Sequence, residues 1–137
     1  MPERRSRRQR EAADPVARYL GTLQAEVMDV FWDRGSATVR ELVVALNKRR
    51  RRKLAYTTVL TLATRLWQRG LLAREPEGRS FRYRPSSDRA GLLADLSDAL
   101  IDQLFDDFGE IALARLDARL ETLDTGRKSS RRLMRRR

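Results

Sequence analysis

Apolar residues in this chain recur at intervals of three and four from Leu20 onward, at Leu20, Leu23, Val27, Met28, Val30, Phe31 and Trp32. That spacing marks one face of an α-helix of about ten residues, with Gly35 as its stop signal. Thr38 followed by Glu41 is a capping-box pattern, and it opens a second short helix on Val39, Leu42, Val43, Ala45 and Leu46 that ends near Asn47. Six consecutive cations come next, Lys48 to Lys53, before a third helical pattern from Tyr56 to Arg69 closed by Gly70. The period then changes. Leu71 to Ala73 reads as a strand, Glu75-Pro76-Glu77-Gly78 as a turn, and Ser80-Phe81-Arg82-Tyr83-Arg84 as a return strand ending at Pro85. Three helices followed by a hairpin is the order of a winged helix-turn-helix.

Ser86, Ser87 and Asp88 are capping candidates for a long helix that keeps the helical period through Leu92, Leu93, Leu96, Leu100, Leu104 and Phe105, up to Gly109. A last helix carries Ile111, Leu113, Leu116, Leu120 and Leu123 before Gly126 and a basic tail. The expected fold class is therefore mainly α with a small β-hairpin: a winged helix-turn-helix domain plus a C-terminal helical dimerisation segment. Its expected divisions are a disordered basic arm (1–18), the winged helix (19–85), the helical segment (86–125) and a disordered basic tail (126–137).

Composition narrows the chemistry. With no cysteine and no histidine in 137 residues, disulfides, thiolate or imidazole metal ligands, cysteine nucleophiles and histidine triads are all excluded. The acids fall at helical spacing among apolar residues, the pattern of a solvated face. The chain is read as a non-enzyme without a cofactor. No apolar run approaches the roughly 18 residues of a membrane span, and the arginine-rich start lacks an apolar stretch, so the expected location is the cytoplasm, without membrane insertion.

The net charge of +11 is divided unevenly. Residues 19–84 carry fourteen basic and six acidic groups, residues 85–125 three basic and ten acidic, and both termini are basic. A positive half suits a polyanion and a negative half does not. The terminal basic runs are expected to add sequence-independent DNA affinity.

The third helix has two faces of different kinds. Val59, Leu62, Ala63 and Leu66 fall on one, and Thr57, Thr58, Thr61, Thr64, Arg65 and Gln68 on the other. Threonine is a mediocre helix former, so a merely solvated face would more often use Glu, Lys or Gln. Such a face suits the major groove, where hydroxyls meet phosphates or base edges, threonine methyls meet thymine methyls, and Arg65 and Gln68 reach further. Lys48, Arg49, Arg50, Arg51, Arg52 and Lys53 lie where phosphates pass close to the start of that helix. On the wing, Arg79 at the turn and Arg82 and Arg84 on the return strand are expected to point outward to DNA, with Phe81 and Tyr83, like Trp32 and Trp67, in the core. The helical segment is too short to bury a leucine-rich face against itself. Leu92, Leu93, Leu96, Leu100, Leu104, Phe105, Phe108, Ile111, Leu116 and Leu120 are therefore expected to meet a second copy, which would set two recognition helices about one DNA turn apart.

The stretches Leu20-Gly21-Thr22-Leu23-Gln24-Ala25-Glu26-Val27-Met28-Asp29-Val30-Phe31-Trp32, Thr38-Val39-Arg40-Glu41-Leu42 and Ala55-Tyr56-Thr57-Thr58-Val59-Leu60-Thr61, with the wing from Gly70 to Tyr83, resemble the penicillinase-repressor family. The resemblance covers about residues 19–85. It implies a winged-helix homodimer on a palindromic operator that represses genes, often for β-lactam resistance, and is relieved by cleavage in the dimerisation segment triggered by a membrane sensor protease. It also implies DNA contacts at Thr57, Thr58, Thr61, Arg65, Arg79 and Arg82. Two features of the family are absent: the Asn–Phe bond cut in its best-known members, since Asn47 is the sole asparagine and precedes Lys48, and the cysteine-rich tail of its copper-responsive branch. Two other readings remain open from sequence: a ligand-sensing winged-helix regulator of the multiple-antibiotic-resistance type, and an architectural protein that coats DNA without sequence preference.

Overall fold

The computed structural model describes residues 14–135, with side chains through residue 126. The N-terminal arm up to residue 13 and the side chains of the basic tail from residue 127 lie outside the described residues. The chain forms two compact units divided at Ala94 and Asp95.

Order begins earlier than the hydrophobic pattern predicts. α1 (Pro15–Leu20) is capped by Asp14, whose carboxylate accepts from the Val16 amide at 3.0 Å, with Pro15 set in the first turn. Val16, Ala17 and Leu20 are buried, so residues 14–18 belong to the domain and not to a disordered arm. Gly21, at φ 89°, separates α1 from α2 (Thr22–Arg34). One continuous helix could not carry that left-handed angle, which costs an L-residue with a Cβ.

Thr38 caps α3 (Val39–Asn47) by accepting from the Glu41 amide at 3.3 Å. The backbone just before it, β1 (Ala37–Thr38), is a third strand that sequence did not suggest. α4 (Tyr56–Gln68) follows the basic loop, and then the hairpin of β2 (Leu72–Glu77) and β3 (Ser80–Pro85). The turn is tighter than expected: Glu77 pairs with Ser80, leaving Gly78 at φ 61° and Arg79 as the loop. The antiparallel order is β1-β3-β2, with Ala37 opposite Tyr83 and Thr38 opposite Arg82. Pro76 is tolerated because β2 is an edge strand.

The core of this unit is built from all of these elements. Val27, Met28, Phe31, Val39, Leu42, Val59, Ala63, Leu66, Leu72 and Tyr83 are almost fully buried, and among the described residues no charged or polar side chain is buried with them. Phe81, Trp32 and Trp67 are only partly covered, so of the four aromatics expected in the core only Tyr83 lies fully inside it.

α5 (Arg89–Phe108) starts within this unit. Asp88 accepts from the Gly91 amide at 2.8 Å, Trp32 donates its indole N–H to the Ser87 carbonyl at 2.9 Å, and Arg89 reaches Asp14 at 2.6 Å. One turn on, Leu92 is 2% exposed. Packed inside its own chain, Leu92 cannot serve the contact with a second copy expected of it.

The second unit holds the rest of α5, Gly109, and α6 (Glu110–Arg135). α6 runs through Gly126 and does not stop before it. A helix-interior glycine costs only about 1 kcal/mol relative to alanine, and the residues beyond it include arginine and lysine, which are good helix formers. The expectation of disorder from residue 126 is corrected for the backbone to Arg135.

Candidate nucleic-acid interface

On α4, Val59, Leu62, Ala63 and Leu66 are buried, while Thr57, Thr58, Thr61, Arg65 and Gln68 are exposed and Thr64 is half-exposed. Thr57, Thr61, Thr64 and Gln68, spaced by four, three and four, run down the side directly opposite the buried one. The division into faces expected from the period is the division in space. Leu60 and Tyr56, which adjoin the threonines, are 37% and 42% exposed. Thr61 donates its hydroxyl to the Thr57 carbonyl at 2.9 Å, and Thr64 donates to the Leu60 carbonyl at 2.8 Å.

The basic loop is held by a residue that charge counting overlooks. Asn47 donates its side-chain amide to the Leu54 carbonyl at 3.0 Å, accepts from the Leu54 amide at 2.7 Å, and takes the Lys53 ammonium on its main-chain oxygen at 2.6 Å. One side chain thus closes the loop and fixes where α4 begins; the signal for it was an asparagine at a helix end. Lys48, Arg49, Arg51, Arg52 and Lys53 are exposed beside the start of α4. Arg50 is not among them, because it turns inward to an ion pair with Glu26.

Wing arginines divide in the same way. Arg79 is exposed at the tip. Arg84 pairs with Glu75 at 3.1 Å across the hairpin but stays largely in solvent. Arg82 does not point freely outward: its guanidinium donates to Glu41 at 3.0 Å, to Glu77 at 3.0 and 3.1 Å, and to the Ser36 hydroxyl at 3.2 Å. The alternation in β3 gave its side correctly. The short β1 pairing then brings the start of α3 under that side, so the arginine clips the wing to α3.

These contacts shift the titrations. Arg82 holds the Glu41 carboxyl below its ordinary value of 4.5, assisted by the Thr38 amide and Arg34, while the carboxylates of Glu77 and Glu41 raise Arg82 above its own. A depressed carboxylate stabilises the fold above its unfolded pKa and loses that contribution as pH falls through the folded one. Thermal unfolding from pH 6 to pH 3 is therefore expected to show a steeper loss of stability below about pH 4.5 in the wild type than in Glu41→Gln. Parallel curves would mean that the clip contributes nothing to stability.

Behind the wing, the Arg74 guanidinium lies 3.4 Å over the Trp67 ring and 4.0 Å from that of Phe81. This stack ties the end of α4 to the hairpin and explains why Trp67, expected in the core, is 36% exposed.

The second unit exposes Leu100, Ile101, Leu104, Phe108, Ile111, Leu113, Leu120 and Leu123, with Ile111 at 70% and Phe108 at 58%. Leu96, Phe105 and Leu116 are half-buried there, as is Leu93 in the first unit. Ile101, Leu113 and Leu123 were not among the expected contact residues, although the helical period had already placed Leu113 and Leu123 on the last helix. Among the described residues Ala112 is the one apolar side chain of this unit that is buried. No helix among the described residues is long and apolar enough to cross a membrane, and no cluster of side chains there could hold a metal ion.

Comparison with known proteins matches residues 20–127 to the penicillinase repressor family. The transcriptional regulator BlaI of Mycobacterium tuberculosis is 43% identical over 83 residues, which span 59% of this chain and 59% of the relative. Among solved structures, the DNA-binding domain of the repressor BlaI is similar at 33% identity, covering 49% of this chain and 79% of that one with a TM-score of 0.44. A mutant MarR from E. coli is similar at 16% identity, covering 85% and 89%, with a TM-score of 0.48.

Proposed function

The chain belongs to the penicillinase repressor family, and from that premise we propose that it is a homodimeric repressor whose two α4 helices enter successive major grooves of a palindromic operator. As a transcriptional regulator of this type with a DNA-binding domain, it needs no chemistry beyond occupancy of a promoter. The observation that carries the proposal is the exposed side of α4, where threonines, Arg65 and Gln68 stand opposite the core, beside five exposed loop cations and Arg79. In this reading Lys48, Arg49, Arg51, Arg52, Lys53 and Arg79 bind phosphates, and Thr57, Thr58, Thr61, Thr64, Arg65 and Gln68 approach bases. Arg82 and Arg50 serve instead by holding the wing and the basic loop in place. The exposed leucines of the second unit meet those of a second copy. The regulated genes are taken to serve β-lactam resistance or a related stress response. Release by cutting at an Asn–Phe bond is not part of the proposal, because Asn47, the sole asparagine, is followed by Lys48 and closes the basic loop.

The test is a duplex selected by the protein itself, from the promoter beside its gene or from a randomised pool. Arg65→Ala is expected to cost about 1–3 kcal/mol on that duplex, the worth of a good base contact, and far less on random DNA. Equal losses on both would make Arg65 a phosphate contact. A wild type with no preference for any duplex would overturn the repressor reading in favour of sequence-independent coating.

A further inference from the structure

Resting on the reading that α4 enters the major groove, we infer that this repressor recognises its operator chiefly through the C5 methyl groups of thymines, with Leu60, Thr61 and Thr64 as the residues that read them. A threonine hydroxyl has one hydrogen to give. In Thr61 and Thr64 that hydrogen is already donated to the carbonyls of Thr57 and Leu60, at 2.9 and 2.8 Å. A new bond from either hydroxyl to a phosphate or a base acceptor would break an existing one. With that hydrogen committed, each side chain can present to a base edge only its methyl group and the lone pairs of its oxygen, and the methyl is the group that can pack on another apolar one.

Leu60 supports the same conclusion independently. It is 37% exposed, one turn before Thr64 on the ridge that runs Tyr56, Leu60, Thr64, Gln68, while Val59, Leu62, Ala63 and Leu66 fill the core on the other side. A leucine there keeps more than a third of its surface outside the interior and cannot hydrogen-bond. Together with the adjoining ridge of Thr57, Thr61 and Arg65, it makes the middle of the exposed surface apolar and its C-terminal end polar. In the major groove the apolar group on a base edge is the thymine C5 methyl; cytosine lacks it, and adenine and guanine present only donors and acceptors. A methyl-rich surface pressed on any other edge would strip water from polar groups without replacing their bonds. Arg65 and Gln68 then supply the polar contacts at neighbouring pairs.

Replacing a thymine by deoxyuridine removes that methyl and leaves the hydrogen-bonding edge intact. The experiment uses the full chain and a duplex selected from a randomised pool, resynthesised with each dT changed singly to dU, with affinity read by fluorescence anisotropy. At the contacted thymines of each half-site, the dU duplex is expected to bind about fourfold more weakly, the worth of one buried methyl. Leu60→Ala, Thr61→Ser and Thr64→Ser are expected to weaken binding to the dT duplex and to bring the dT/dU ratio towards one at particular positions, with a smaller loss on a random duplex. Serine keeps the hydroxyl, so the loss reports the methyl. Equal binding of every dU duplex and the parent by the wild type overturns the inference, as does an unchanged dT/dU ratio in all three variants. If the selected duplex is still preferred over random DNA, only methyl reading falls; if no duplex is preferred, the repressor reading falls with it.

Discussion

Phe108→Asp combined with Ile111→Asp is expected to yield a monomer in sedimentation and to weaken operator binding by about a hundredfold or more. Both side chains are more than half exposed, at 58% and 70%, so the substitutions remove little that holds a single chain together. They introduce two charges into an apolar surface whose segment already carries ten acids against three bases in residues 85–125, and in a two-fold dimer each appears twice. Burying such carboxylates without partners costs several kcal/mol. The loss on DNA follows from linkage: two tethered recognition helices bind with an advantage of about 10²–10⁴ over one, through effective concentration alone. The thermal transition of the first unit should stay where it is in the wild type, which separates failed assembly from failed folding. A double variant that still sediments as a dimer would place the interface elsewhere than on these helices.

The second large effect is on stability and comes from the buried side of α4. Leu66 is fully buried, and Leu66→Ala is expected to destabilise the winged helix by about 2–5 kcal/mol, through lost apolar burial and the cavity left behind. For a domain of this size that lowers the unfolding midpoint by roughly ten degrees or more. Leu60→Ala, about a third of a turn round the same helix and 37% exposed, should cost clearly less, about 1 kcal/mol or under, while it weakens DNA binding. The two leucines make a paired experiment: scanning calorimetry should separate them in one direction, and operator affinity at low temperature in the other. Comparable stability losses would mean that α4 is not divided into a core side and a DNA side.

Much of the fold was legible because it depends on local periodicity. The apolar residues of α4 could be assigned to the core because a helix repeats every 3.6 residues wherever it sits, and Thr38 could be read as a cap because its partner is the amide three residues on. Where a residue's role depends on a neighbour far along the chain, the reading failed. Arg82 alternates out of β3 as expected, yet 41 residues separate it from Glu41, and nothing local in either stretch announces the pair. Trp67 was expected in the core on size and hydrophobicity, and Arg74 covers it from the next strand. Arg50 looked like its five basic neighbours until Glu26 was found beside it. Leu92 belonged by period to the helix of the second unit, and by contact to the first.

By itself, then, the sequence determined most of the helices and the hairpin, which side of each is apolar, and that the cations and the threonine-lined helix lie in one half of the chain, because propensity, capping and amphipathic period act over a few residues; α1 and β1 escaped it. The tertiary structure alone decided which cations stay exposed and which are held by carboxylates, which aromatic is core and which is stacked under a guanidinium, and which leucine is buried in its own chain and which is not. Those outcomes depend on groups brought together from distant parts of the chain. An ion pair or a packed contact exists only once the backbone has set both partners within a few ångströms of each other.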